Sequence, residues 1–295
     1  MRPDGPATAG APAASDAVAI ICGGGSFPAA VAEAVIRQGR RPVMFAISGW
    51  ADPEVAERYA HHWIALGQAG RFISLAKSEH CRDAVLIGTV LRPPLSQIRL
   101  DWLTLRSLPR IVRFYSGGDD RLLSGVAKVI EEAGLRVVGL RDLAPEIFVP
   151  AGALGGLRPT LRDERDIARA LQVIRALGPF DVGQAAVVAD NQVLAVEAAE
   201  GTDSMLLRIA DLRRQGRVAT APGVGVLVKA LKPGQDRRFD LPAIGPQTVA
   251  NVINAGLAGL AVTAGTSIIA DGPEAIAAAD RAGIFLFGVT ADAAP

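Results

Sequence analysis

The 295-residue sequence is short of the residues behind most metal and thiol chemistry, with two cysteines and three histidines. Two cysteines cannot form a disulfide framework. Cys22 and Cys81 stand in "AIICGGG" and "SEHCRDAV", neither a metal nor a redox pairing, and both read as reduced thiols. His61, His62 and His80 do not have zinc-ligand spacing. An excess of one charge is also missing: 31 basic and 30 acidic residues leave a net +1. That balance gives no electrostatic footprint for duplex nucleic acid, so no nucleic-acid partner is expected. No apolar run approaches the roughly 18 to 20 residues of a membrane-spanning helix. The stretch 1–16, rich in Ala, Pro and Gly, has no apolar signal core and reads as a disordered tail. A cytoplasmic location is expected, and peripheral contact with a membrane surface is compatible with it. Neither a Gly-x-Ser-x-Gly elbow nor a Cys–His constellation is present.

What the chain does have is apolar mass. It is 50% hydrophobic and 21% charged, which suits a sizeable core in one large or two ordinary domains. "AVAIICGGGSFPAAVAEAVIRQGRRPVMFAI" reads strand, glycine loop, helix, strand. Further alternation follows through "HHWIAL", "RFISLAKSEHC", "DAVLIGTVL" and "LLSGVAKVIEEAGLRVVGL". This predicts an α/β fold whose N-terminal domain, 17–145, is a Rossmann-like, doubly wound parallel sheet. Around 146–162, glycines and prolines break the periodicity, and a linker is expected there. From 163 to 295 the pattern changes to a hairpin with its turn at Asp190-Asn191, then mixed strands and helices. A C-terminal α/β domain with a mixed sheet is the expectation.

Four stretches carry polar chemistry. In "CGGGSFP", the amides of Gly23, Gly24 and Gly25 could approach a phosphate, or the loop could simply be a tight packing turn. In "GGDD", Asp119 or Asp120 suits a helix N-cap. "VEAAEGTDSMLLR" gathers Glu197, Glu200 and Asp203 around one glycine turn beside Thr202. Capping accounts for one or two of these residues. Three carboxylates so close also suit a hard divalent cation, Mg²⁺ or Mn²⁺, shared with substrate phosphates.

The fourth stretch is "KALKPGQDRRFDLPAIGP", 229–246. Lys229 and Lys232 are phosphate donors, and Arg237 or Arg238 could bind phosphate bidentately. Gln235 and Asp240 are candidate substrate contacts, while Asp236 and Asp240 can supply oxygen ligands or a base. Pro233, Pro242 and Pro246 stiffen the loop. Together the two acidic and basic stretches suggest metal-assisted attack of water on phosphorus.

In this order, "AIICGGGSFP", "GGDDRLL", "FDVGQAAVV", "EAAEGTDSMLLR", "LVKALKPGQDRRFDLPAIGP" and "NAGLAGLAVTAG" resemble the LpxI-type UDP-2,3-diacylglucosamine pyrophosphatases of lipid A biosynthesis. The resemblance spans about 17–290. It implies Mg²⁺-dependent hydrolysis of the UDP-sugar pyrophosphate to UMP and 2,3-diacylglucosamine 1-phosphate (lipid X). It also implies a ligand chamber between two domains and work at the cytoplasmic face of the inner membrane. The family's catalytic aspartate aligns with Asp236. With it, Lys229, Lys232 and Arg238 form the expected catalytic set. Gly23, Gly24, Gly25, Thr202, Gln235 and Asp240 are the expected substrate contacts, and Asp236, Asp203 and Glu200 the expected metal ligands. The family pattern would place a glutamate and a basic residue near Thr263 and Thr266, where this chain reads "AVTAGTSII". A non-catalytic nucleotide- or lipid-binding protein is the alternative, and a homodimer is left open. A nicotinamide dehydrogenase fits poorly, because the spaced glycine fingerprint is missing.

Overall fold

The computed structural model describes residues 16–90, 101–105, 119–232 and 236–290. The chain divides into two compact units, Met1–Ala144 and Pro145–Pro295. The tail read over 1–16 lies outside the described residues except for Asp16, whose carboxylate accepts from Arg40 Nε at 2.9 Å.

The first unit runs β1 (Ala17–Cys22), α1 (Phe27–Arg37), β2 (Arg41–Ile47), α2 (Pro53–Ala56), β3 (Ala60–Ile64), α3 (Ala69–Ser78), β4 (Cys81–Ile87), α4 (Asp119–Glu132), β5 (Arg136–Val137) and α5 (Leu140–Leu143). Among the described residues its five strands are all parallel, in the order β3-β2-β1-β4-β5. Chain order reverses between β1 and β4, which makes the sheet doubly wound and Rossmann-like. Strand β1 is a continuous apolar run because both of its faces are covered: Val18, Ala19 and Ile20 are fully buried. Pro28 lies in the first turn of α1, where its missing N–H costs nothing, and Val31, Ala32 and Val35 form the buried stripe. At the foot of the sheet, buried Asp83 accepts from Arg40 Nη2 at 2.7 Å and Arg136 Nε at 2.8 Å. Burial raises this carboxyl's pKa, but the two guanidiniums outweigh it and hold it below the usual range.

The second unit contains β6 (Gly152–Ala153), α6 (Leu161–Leu177), β7 (Ala185–Ala189), β8 (Gln192–Val196), α7 (Gly201–Arg214), β9 (Val226–Lys229), β10 (Ala243–Ile244), α8 (Pro246–Asn254), β11 (Gly259–Thr263), β12 (Ile268–Ile269), α9 (Gly272–Ala282) and β13 (Phe285–Val289). Six strands form a mixed sheet, β6-β13-β11-β9-β7-β8, and β10 pairs separately with β12. The central strands β9, β11 and β13 are parallel, whereas β7 runs antiparallel to both β8 and β9. Strand alternation builds two cores. Leu227, Leu260 and Leu286 join Met205, Ile209, Val249, Val252 and Ala275 on one face. Val226, Val228, Ala261 and Phe285 join Ile167, Leu171 and Ile174 of α6 on the other.

The hairpin turn lies where the sequence places it. Asp190 and Asn191 have φ of 52° and 62°, the left-handed pair of a two-residue hairpin loop. Their amides donate to buried Asp166 of α6 at 3.0 and 2.6 Å.

The stretch 146–162 begins beside the boundary between the two units and is bonded within the second. Phe148 bridges to Ile268, β6 pairs with β13, and Val149 enters the core. Its glycines serve close packing: a Cβ on Gly155 would lie 2.4 Å from Asp280 Oδ1, which also accepts from Gly156 N at 2.8 Å. The composition that suggests a linker is that of a backbone lying against its neighbours.

Candidate functional site

Strand β9 brings Lys229 to the edge of its own core. Its register partners are Ala185 on β7 and Val262 on β11. The ammonium donates to the Ala243 carbonyl at 2.9 Å. Burial pulls Lys229 below the usual lysine range, against the opposing charges of Glu197, Asp203 and Asp240. A half-buried ammonium in the field of three carboxylates is the electrostatic centre of this region.

Those carboxylates are individually held. Glu197 accepts from Thr202 Oγ1 at 2.7 Å and from Gln184 N at 2.8 Å. Gln184 Nε2 donates to Asp240 Oδ1 at 2.8 Å. Asp203, on the first turn of α7, accepts from Asn251 Nδ2 at 2.8 Å, and Gln247 Nε2 donates to Asn251 Oδ1 at 3.2 Å. Thr202 is therefore a buried second support for Glu197, and no side-chain cap bond is made at the start of α7.

After Lys229 the chain turns through Lys232, which is buried and forms an ion pair with Asp181. Gln235, with Pro233 and Gly234, lies outside the described residues. Asp236 then chelates Arg238. Its Oδ1 accepts from Arg238 N at 3.0 Å and Nε at 3.1 Å, and its Oδ2 accepts from Nη2 at 2.9 Å. Burial raises the Asp236 pKa, but these bonds and the guanidinium charge outweigh it, so the carboxyl sits below its usual range. Asp236 is thus kept ionised at neutral pH, as an acceptor that can orient water must be. Arg237 is exposed.

The three carboxylates read as metal ligands go to different partners. Asp236 pairs with Arg238, Asp203 with Asn251, and Glu200 with Arg208 Nη2 at 2.9 Å. Among the described residues, no group of three or more His, Cys, Asp or Glu side chains is arranged to hold a metal ion. The donor set is not an all-protein cage. It is compatible with a cation taking one or two carboxylates and completing its shell with substrate phosphates and water, the usual habit of Mg²⁺.

The glycine loop has a packing role in the first unit. Gly23 N donates to Ile87 O at 3.0 Å, and Gly24 N to Thr89 O at 2.9 Å. A Cβ on Gly23 would lie 2.3 Å from Thr89 O. Two of the three amides offered to a phosphate are therefore already bonded to backbone. Of "GGDD", Gly117 and Gly118 lie outside the described residues, and α4 begins at Asp119.

Sequence reasoning passed over Gln184, Asp181 and Asn251. Gln184 and Asp181 both belong to "FDVGQ", whose unusual polar-glycine pattern ahead of an apolar strand was their signal. Where the family pattern suggests charges, Thr266 Oγ1 donates to Thr263 Oγ1 at 2.9 Å and Ser267 Oγ lies 3.2 Å from Thr263 Oγ1. This hydroxyl cluster directly follows Val262, the β11 register partner of Lys229.

A parallel, doubly wound sheet unit and a mixed-sheet unit with a carboxylate-bordered lysine and a chelated aspartate define a two-unit α/β protein with a polar site in the second unit. Residues 17–147 match the LpxI N-terminal domain and residues 150–287 the LpxI C-terminal domain. The UDP-2,3-diacylglucosamine pyrophosphatase LpxI of Caulobacter vibrioides is 38% identical over 270 residues, 92% of this chain and 96% of that protein. The chain belongs to the LpxI family.

Proposed function

We propose that this protein hydrolyses the pyrophosphate of UDP-2,3-diacylglucosamine to UMP and 2,3-diacylglucosamine 1-phosphate in lipid A biosynthesis. The observation that carries the reading is near-full-length similarity to the Caulobacter pyrophosphatase, at 38% identity over 92% of the chain. The chemistry is a balanced hydrolysis. A water oxygen bonds to phosphorus, favoured at the β position by the family resemblance, and the bond from that phosphorus to the bridging oxygen breaks. UMP leaves with the electron pair, and the water's proton is released.

Asp236, held ionised by Arg238, accepts a hydrogen bond from the attacking water and aims it. Lys229, Lys232 and Arg238 supply positive charge to the phosphates. For Lys232 and Arg238 this contact shares a cation already paired with Asp181 or Asp236. Mg²⁺, or Mn²⁺, is the proposed cofactor, with Asp236 and Asp203 as its carboxylates. When bound it neutralises pyrophosphate charge. Glu200, the third ligand expected from the sequence, is exposed and tied to Arg208, and is left out of this set.

No helix among the described residues is long and apolar enough to cross a membrane. Because the substrate carries two acyl chains, we place the protein at the cytoplasmic face of the inner membrane as a peripheral enzyme.

The test is release of UMP from UDP-2,3-diacylglucosamine in the presence of Mg²⁺. The wild type should exceed a metal-only control, and Asp236→Ala should lose roughly 10²- to 10⁴-fold in rate with an unchanged circular dichroism spectrum. Near-normal turnover in that variant would remove Asp236 from the mechanism. Wild-type binding without UMP release would leave a binding protein instead.

A further inference from the structure

Gln184 is joined to three separate parts of the second unit. Its amide N–H donates to Glu197 Oε2 at 2.8 Å, its carbonyl accepts from Ala230 N at 2.9 Å, and its side-chain Nε2 donates to Asp240 Oδ1 at 2.8 Å. Ala230 directly follows Lys229, and Asp240 closes the turn that contains Asp236 and Arg238. Within that turn Phe239 N and Asp240 N donate to the Asp236 carbonyl at 3.3 and 3.5 Å. A single residue thus links the strand end bearing Lys229, the carboxylate of Glu197 and the far side of the Asp236 turn.

The position is built to allow this. Gly183 has φ of 50°, and a Cβ there would lie 2.1 Å from the Glu197 carbonyl oxygen. Only glycine lets the backbone before Gln184 pass so close to β8. The side chain must also be a neutral donor. A carboxylate in its place would face Asp240 with like charge, and an apolar group would leave the Asp240 oxygen without this donor.

We propose that Gln184 is a positioning residue for the reaction: its side-chain amide fixes Asp240 and, through it, the turn that presents Asp236. The kinetic part of this inference rests on the proposed hydrolysis. The structural part does not. Gln184 acts through Asp240 and not on a reacting atom.

The experiment compares wild type, Gln184→Ala, Gln184→Glu and the donor–acceptor swap Gln184→Glu/Asp240→Asn. The first readout, independent of substrate, is amide hydrogen exchange in the 236–240 peptide, with β7 as the internal reference. Faster exchange at 236–240 is expected in both single variants, with β7 protection kept and wild-type protection restored by the swap. The second readout is turnover: kcat should fall roughly 10- to 100-fold in Gln184→Ala, the scale of a displaced reacting group, while KM stays within about threefold. If Gln184→Ala does not fold, the near-isosteric Gln184→Glu carries both measurements. Unchanged exchange at 236–240 in a folded single variant overturns the proposal, as does wild-type kcat. If the wild type releases no UMP, the proposed reaction fails and the exchange result alone decides the positioning role.

Discussion

Asp236 and Arg238 hold each other across a single intervening residue: the guanidinium Nη2 donates to Oδ2 at 2.9 Å while the Arg238 backbone N–H donates to Oδ1 at 3.0 Å. The guanidinium also lies 4.7 Å from the Phe239 ring centroid. The aspartate thereby gains a planar, fixed cation, which an ammonium could not reproduce with the same fork.

Removing that cation should be visible in the pH profile. Asp236 has a folded pKa depressed by Arg238, so its ionised form persists as pH falls, and it is lost only through the lowered folded value. In Arg238→Ala, burial is left to act with less opposition, and the carboxyl protonates at higher pH. The acidic limb of kcat/KM against pH should move upward, and Arg238→Lys should fall between the variant and the wild type. An acidic limb at the same pH in Arg238→Ala would detach it from Asp236.

Lys229 offers a second electrostatic test. Its ammonium is the positive charge opposite Glu197, Asp203 and Asp240. Lys229→Met leaves those carboxylates to repel one another and frees the Ala243 carbonyl of its donor, a loss of about 2 kcal/mol at neutral pH. Urea unfolding of wild type and variant at neutral pH measures this, and an unchanged midpoint would contradict the assignment.

How far the sequence could be read depends on whether a residue's role is local. Strand β2 is legible as "RPVMFAI" because both of its faces are buried and the run is uninterrupted. The hairpin turn is legible because Asp190 and Asn191 tolerate positive φ. The candidate loop is visible through its density of charge. Its pairing is not, because Lys232 finds Asp181 51 positions away and Gln184 finds Asp240 56 positions away. Gly155 and Gly288 show what the glycines of 146–162 and its neighbours do, which the sequence did not reveal. A Cβ on Gly288 would lie 1.9 Å from Pro150 O, so this irregular stretch is irregular because it packs tightly. Periodicity registers side-chain faces, and it has no signal for backbone against backbone.

The glycine loop separates two roles by substitution. Gly23→Ala places a methyl group against Thr89 O, at 2.3 Å in the unrelaxed geometry, and must disturb the junction of β1 and β4. Gly25 differs: its φ is 93° and nothing lies within 4 Å of an added Cβ. Gly25→Ala therefore carries only the backbone strain, about 1 to 2 kcal/mol, with its methyl group projecting into open space. If the loop serves packing alone, Gly23→Ala lowers Tm more than Gly25→Ala, and KM for the nucleotide lipid is unchanged in whichever variant folds. If phosphate approaches the backbone here, Gly25→Ala raises KM severalfold, because the new methyl occupies the ligand's path. The amides of Gly23 and Gly24 already donate to Ile87 and Thr89. The packing outcome is therefore the expected one, and thermal melts with initial-rate kinetics on the two variants check it.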